Sequence, residues 1–301
     1  MSKMVEKNKG MSAFRIINGF LLVMLCVLTI YPFLNQLAIS LNEGTDTLRG
    51  GITIFPRAFT LDNYKLVLFD DEFWSAVVVS VLRVVITVIL SLIVTFAAAY
   101  GLIKKGLAYK RGITFFLMIP YYITAGVIPI YMTYRYYGLI NNFLVYIMPN
   151  LFVFYNMLIM RSFLQGIPDS LPESARIDGA SEAVILFKIM LPVSMPVIAT
   201  VALWTVVGGW NDWVSTLYYV TDRDLYTLQY LMMQMIKEAE ASAKLISESA
   251  MTGVDISNVA KPTSESVTAA TVMCSTLPII CVYPFLQKYF ISGVTLGAVK
   301  G

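Results

Sequence analysis

Apolar residues along this chain gather into blocks of 20 or more, separated by short polar stretches. A run of that length with few charges is the pattern of a helix that crosses a membrane, which needs about 20 apolar residues. Six such spans are expected, at residues 14–39, 74–102, 112–134, 142–163, 193–220 and 264–290. The expected fold class is therefore an all-α integral membrane protein with six transmembrane helices. A cleaved signal peptide explains the first block less well. Its apolar run exceeds a typical core of about 7–15 residues, and only Tyr31-Pro32-Phe33-Leu34-Asn35 follows, with no small-residue cleavage site. The polar segment 221–263, rich in Ser, Glu and Lys, reads as a long external loop with one amphipathic helix near 228–246.

Proline marks the spans. Pro120 and Pro129 interrupt the third, with Gly126 between them, Pro149 falls in the fourth, Pro192 and Pro196 open the fifth, and Pro278 and Pro284 lie in the sixth. Such breaks are tolerated in a membrane where neighbouring helices or a watery path satisfy the freed backbone groups. Ordinary kinking and a bundle that flexes around a pathway both account for them.

Composition agrees with the pattern. The chain has 301 residues, 57% hydrophobic and 14% charged, where a soluble domain carries roughly 25% charged residues. That excludes a soluble enzyme or a nucleic-acid-binding domain, and no nucleic-acid partner is expected. Histidine is absent, so imidazole catalysis, His-ligated metals and Ser–His or Cys–His nucleophiles are excluded. Cys26, Cys274 and Cys281 have no metal-ligand spacing. No catalytic or metal-binding residue is expected.

Charge resolved by loop sets the orientation. The short 103–111 loop holds Lys104, Lys105, Lys110 and Arg111 with no acid, and the N-terminal segment holds Lys3, Lys7, Lys9 and Arg15. Arg161, Arg176, Lys188, Lys288 and Lys300 fall on the same side, whereas the cations of the other side are spread over much longer loops. The positive-inside rule then places both termini in the cytoplasm of a multi-pass cell-membrane protein. Residues 1–13 form a cytoplasmic segment, 14–290 the six-span domain and 291–301 a cytoplasmic tail.

Between spans four and five lies a polar cytoplasmic segment, 168–192, with helical logic. Ser170 and Glu173 have capping-box spacing, Pro172 falls in a first turn, and Gly179 sits where a helix C-cap would. A second helical stretch, 181–190, leads to Leu191-Pro192. Glu173, then Ala175, then Gly179, then nine residues and Ile189-x-Leu191-Pro192 resembles the EAA loop of binding-protein-dependent ABC importer permeases. Ser174 stands in place of one of the two alanines.

Other stretches carry the resemblance across nearly the whole chain. Leu41-Asn42-Glu43-Gly44, Thr60-Leu61-Asp62-Asn63-Tyr64, Tyr137-Gly138-Leu139-Ile140-Asn141-Asn142, Trp210-Asn211-Asp212-Trp213 and Tyr283-Pro284-Phe285-Leu286-Gln287 are similar to the Lpl/Ytc-type oligosaccharide permeases of Gram-positive bacteria. The closing Gly293-Val294-Thr295-Leu296-Gly297-Ala298-Val299-Lys300-Gly301 looks like the tail of the maltose-type carbohydrate permeases.

The resemblance implies a type I ABC importer permease fold and a transport subunit rather than an enzyme. It implies a heterodimer with a second, homologous permease, a pair of ATPase subunits and an extracellular sugar-binding lipoprotein. ATP and Mg are then held by the partner ATPase, with no cofactor in this chain. That fits the lack of a G-x-x-x-x-G-K-[ST] motif here. On the same resemblance, Glu173, Ser174, Ala175, Asp178, Gly179 and Ala180 couple to a cleft on the ATPase. The tail, with Gly297, Val299, Lys300 and Gly301, enters the ATPase interface, and the 221–263 loop reaches the sugar-binding protein.

Sugars are held by aromatic stacking and by amide, carboxylate and hydroxyl hydrogen bonds. The candidate pathway residues are Trp204, Trp210, Asn211 and Asp212 in span five, Tyr121 and Tyr122 beside Pro120, and Tyr155 and Asn156 in span four. Two readings of Asp212 stand: a lining acid facing protein or water, or an acid already among the lipid headgroups. Tyr131, Tyr134, Tyr136 and Tyr137 read as an external aromatic belt. Arg83 has two readings, snorkelling to the outer surface or pairing with an acid, and with no partner identifiable along the chain snorkelling is the expected one. In the maltose-type relatives the sugar is held mainly by the other permease subunit. The alternatives are an ABC permease for a non-sugar solute, a secondary transporter and an intramembrane enzyme. A secondary transporter would be expected to show an internal repeat, and an intramembrane enzyme paired acids or a Ser–Lys dyad. Neither pattern is found.

Overall fold

The computed structural model describes residues 2–251 and 263–298, and regular structure there is helical apart from an isolated bridge between Asn42 and Phe59. The order begins α1 Ser2–Ser40, α2 Gly44–Thr47, α3 Asp62–Leu68, α4 Asp71–Ile103, α5 Lys110–Tyr122 and α6 Val127–Tyr136. It continues α7 Leu144–Ile147, α8 Phe154–Leu164, α9 Ser170–Ile177, α10 Glu182–Val184, α11 Leu191–Val193 and α12 Met195–Asn211. It closes with α13 Val214–Tyr219, α14 Leu228–Met251 and α15 Ser264–Ala298.

Three helices, in α1, α4 and α15, are each long and apolar enough to cross a membrane, and three bent helix pairs bring the total to six if each pair is one span. The third span, expected over 112–134, divides into α5 and α6, which meet at 113°. Gly126 makes the break, with φ +82 and ψ 174, a backbone region nearly closed to residues with a side chain. In the fourth span, Leu144–Asn150 and Phe154–Leu164 differ by 46°. Here Pro149 lies in a 3-10 turn, Met148–Asn150.

The fifth span differs most from its expected bounds of 193–220. A helix over Glu182–Val193, with a π-helical middle at Ile185–Met190, meets α12 at 81°. The chain then leaves helix at Asp212, whose ψ is 106, and resumes in α13. Pro192 and Pro196 supply no N–H, so the helix winds differently around each of them. The helix of the sixth span continues beyond 290, since α15 is helical to Ala298. In the 221–263 segment α14 covers the expected amphipathic helix and five residues more.

The contacts group the chain into two units, Met1–Asp70 with Gln234–Thr276 and Asp71–Met233 with Leu277–Gly301. In the first, two fully buried asparagines tie the turns after α1. Asn42 donates through Nδ2 to Asp46 Oδ2 and Thr47 Oγ1, both at 3.0 Å, and its Oδ1 accepts from the backbone of Arg57 and Ala58, both at 2.8 Å. Asn63 donates to the carbonyls of Ser40 and Asn42, both at 2.9 Å, and accepts from Ser266 Oγ at 3.0 Å. The Asn42 amide, with Arg57 beside it, holds the Asp46 carboxyl below the usual carboxylate range. Gly44 fits where a Cβ would stand 2.5 Å from the Thr263 nitrogen. An Asn63→Ala substitution strips two buried carbonyls and a hydroxyl of their partner, and is expected to cost about 1–3 kcal/mol. Thermal unfolding in detergent checks this, and an unchanged midpoint would show that water replaces the amide.

In the second unit α4 packs against α8 and α12. Its buried positions include Ala76, Ser80, Arg83, Thr87, Ser91, Thr95, Ala99 and Leu102, a stripe at three- and four-residue spacing. Most of these side chains are small or hydroxylic, and they let helices approach closely where lipid offers no hydrophobic driving force. The bulky residues Val78, Val81, Leu82, Val85, Ile89 and Ile93 face outward. A larger apolar core forms where Phe96 and Tyr100 meet Met157, Met160, Ile185, Met190, Val197 and Val201.

Candidate functional site

Two places in the second unit gather chemistry, one towards each end of α4. The first is a cavity of about 410 Å³ whose lining includes Arg83, Thr87, Tyr146, Asn156, Trp204 and Asp212. Here Arg83 departs from its expected place. It does not snorkel, because its side chain is only 3% exposed and pairs with Asp212 Oδ2 at 3.4 Å. Its Nη2 also donates to the carbonyls of Gly209 and Asp212. These carbonyls lie at the end of α12, where the last turn has no intrahelical donors and the helix dipole favours a cation. The guanidinium lies 5.0 Å from the centre of the Tyr146 ring. Tyr146 in turn donates to the Leu225 carbonyl at 2.8 Å and shares a hydrogen bond with Thr216. Arg83 Nε is buried with no hydrogen-bond partner.

Of the expected pathway residues, Asn156, Trp204 and Asp212 line this cavity. The Tyr155 ring stacks on Trp204 at 6.0 Å and 28°. The others are not brought there. Trp210 is 7% exposed and absent from the lining, and the Asn211 amide turns back to the Val207 carbonyl at 2.9 Å. Tyr121 packs edge-on to Tyr122 and near Phe154, away from the cavity. Thr87 and Tyr146 were missed, and Arg83 was noticed but not placed on the pathway. The recurring hydroxyl residues on one face of α4 were the available signal for Thr87. Nothing local marks Tyr146.

The second place is the segment around α9. The helix ends in a Schellman turn, in which Ala180 N–H donates to the Ala175 carbonyl at 2.9 Å and Gly179 N–H to the Arg176 carbonyl at 3.1 Å. Gly179 holds φ +81 and a Cβ there would meet open space. The expected Ser170–Glu173 capping box does not form. The N-cap is Asp169, Ser170 is already helical, and its carbonyl takes the Ser174 hydroxyl at 2.8 Å. The turn starts one residue early because Glu173 N–H already bonds the Asp169 carbonyl at 3.1 Å. Ser181 caps the next helix, accepting from Val184 N–H at 3.4 Å.

Ala175 and Ala180 rest against the apolar core, while Glu173, Ser174, Asp178 and Gly179 are exposed. Ile177 is 86% exposed, an unusual place for an isoleucine on a helix whose other face is anchored. Lys105 binds Asp169 at 2.7 Å and lies 3.6 Å from Glu173. Its hydrogen bond to Asp169 holds the Lys105 ammonium above the usual lysine range. Of the tail residues, Gly297 falls within α15, and Val299, Lys300 and Gly301 lie outside the described residues.

A helical bundle with broken spans, a polar cavity at one place and a short exposed helix at another defines the membrane component of a transport system. The chain belongs to the family of binding-protein-dependent transport system inner membrane components, whose profile matches residues 95–296. It is 32% identical over 289 residues to the polygalacturonan/rhamnogalacturonan transport system permease protein YtcP of Bacillus subtilis strain 168, covering 95% of this chain and 97% of that one. It is 33% identical over 297 residues to protein LplC of the same strain, covering 99% and 98%. The expected likeness to Lpl/Ytc-type permeases is thus borne out. A crystal structure of a bacterial ABC transporter involved in the import of the acidic polysaccharide alginate matches with a TM-score of 0.82 and 26% identity, over 93% of this chain and 97% of that one. The type I ABC importer permease fold follows.

Proposed function

We propose that this chain is the permease subunit of an ATP-driven importer of oligosaccharides, with the cavity at Arg83 and Asp212 on the sugar's path. The helix α9 is its contact with a separate ATPase dimer. Glu173, Ser174, Asp178 and Gly179 face the ATPase, while Ala175 and Ala180 seat the helix on the bundle. Both termini lie in the cytoplasm, and the 291–301 segment extends towards the ATPase. A second, homologous permease completes the pathway as a heterodimer, and an extracellular sugar-binding lipoprotein delivers the substrate. The relatives named for polygalacturonan/rhamnogalacturonan transport and for the import of the acidic polysaccharide alginate support the sugar assignment.

The observation that carries this reading is the exposure of α9. Its outer face presents Ile177 and a glycine-closed turn to solvent, and a single chain has no use for such a face. The test is a Glu173→Lys substitution in the full complex. Membrane insertion should stay at the parental level, while ATPase co-purification or sugar uptake falls about tenfold or more, the loss expected when a charge is reversed inside a docked contact. Parental uptake with a reversed charge at Glu173 would refute docking through α9.

A further inference from the structure

The carboxylate of Glu182 joins three parts of the chain. Lys104 Nζ stands 2.6 Å from Oε2, the Tyr100 hydroxyl donates to the same oxygen at 2.8 Å, and Arg176 Nε reaches Oε1 at 3.1 Å. Tyr100 belongs to the last turn of α4, Lys104 follows that helix directly, and Arg176 lies in α9. Lys104 also sits 5.0 Å from the Tyr100 ring centre. Around the cluster the packing is open. A cavity of about 520 Å³ lies between the end of α4 and the helix after Glu182, lined by Gly101, Gly106, Leu107, Ala183 and Phe187 among others. The polar cluster lies at the rim of the apolar core that Tyr100, Ile185, Ala175 and Ala180 share, and adds polar ties to that apolar contact.

We infer that Glu182 is a positioning residue that locks the docking helix α9 to the end of α4, so that the two move as one piece. This rests on the proposal that α9 docks on the ATPase. Exposed ion pairs add little to stability, and the Glu182 side chain is half exposed. What the cluster supplies is direction: one carboxylate holds a cation from each side, and the tyrosine hydroxyl fixes its rotamer. The neighbouring tie of Lys105 to Asp169 and Glu173 constrains the start of α9 against the same loop.

The consequence runs along α4. This helix is 33 residues long with no proline inside it. Arg83, gripping the end of α12, and Tyr100, gripping Glu182, lie about 25 Å apart along the axis at ~1.5 Å per residue. A displacement of α9 is thereby handed through Glu182 to the helix that carries Arg83. Coupling between distant sites needs such a contiguous element with two positions.

The test uses the complete importer in proteoliposomes with loaded binding protein, reading sugar uptake and ATP hydrolysis in the same preparation. In Glu182→Gln and in Lys104→Met, ATPase co-purification should stay parental while sugar moved per ATP falls about threefold or more. Lys104→Arg should keep the parental ratio. The double variant should be no worse than Glu182→Gln alone, because the two residues act through one contact. A parental ratio in Glu182→Gln overturns the inference, as does full additivity in the double variant. A parallel fall of complex, uptake and hydrolysis overturns it too, since it marks Glu182 as merely structural. Failure of docking itself is read separately, from the Glu173→Lys complex.

Discussion

An Arg83→Met substitution is expected to abolish sugar uptake and to lower the thermal unfolding midpoint of the complex in detergent. The guanidinium meets Asp212 Oδ2 at 3.4 Å and the carbonyls of Gly209 and Asp212. Methionine fills the volume but takes the Arg83 donor from Asp212 Oδ2 and from two helix-end carbonyls. Breaking a buried pair from one side costs about 3–5 kcal/mol. The lower end applies here, because the Asp212 side chain is 28% exposed and water in the cavity can solvate it. Asp212→Asn is milder. It keeps the carbonyl contacts and the Ser215 N–H bond to Oδ1 at 3.1 Å, but turns an amide NH2 towards Arg83 and so loses the charge and that one acceptor. The double variant Arg83→Met with Asp212→Asn is expected to recover part of the stability but not the uptake. An Arg83→Met protein with parental midpoint and uptake would remove this pair from both fold and pathway.

Gly179→Trp is expected to leave expression and membrane insertion intact and to lower uptake more than about tenfold. Two effects separate cleanly at this position. A side chain at φ +81 strains the backbone, which costs about 1–2 kcal/mol for an L-residue. That strain is shared by Gly179→Ala, which should transport at a reduced rate. Among the described residues nothing beyond the immediate chain neighbours lies within 4 Å of the added Cβ, so a side chain leaves the backbone here into open space. Any loss beyond that of the alanine variant comes from the partner surface. Uptake assays on matched expression levels decide it, and equal uptake by the tryptophan and alanine variants would mean that no partner closes over Gly179.

Much of this site was legible from one sequence. The Glu173–Gly179 spacing and its likeness to the EAA loop marked the segment proposed to dock, and the turn at Gly179 was readable because a glycine that ends a short helix is demanded by local backbone conformation. Gly126 and the prolines around it likewise announced the break between α5 and α6. Asp212 was visible as an acid inside an apolar block. The capping box failed for an equally local reason: Asp169 and Ser170 compete to start the same turn, and one residue of difference decides which caps.

The partners of those residues were not legible. Arg83 and Asp212 are 129 positions apart, and no periodicity relates them. Their meeting depends on the rotation of α4 against α12 and on where α12 stops. Nothing in the sequence singles out Glu182, and Lys104, a marker of orientation there, is its partner in the fold. The aromatic candidates show the converse. Trp204 and Trp210 are equally plausible in the sequence, yet only Trp204 lines the cavity.

What the sequence determined by itself was the membrane character, the six apolar blocks, the family and the short helix that ends at Gly179. The first two follow from apolar run length, the helix end from backbone geometry within a few residues, and the family from the resemblance of short motifs to known permeases. Tertiary structure alone decided which side chains converge: the Arg83–Asp212 pair, the Glu182 cluster and the bends that let them form. Such contacts depend on helix crossing and rotation. Those are set by packing summed over many small residues on α4, none of which specifies the arrangement alone.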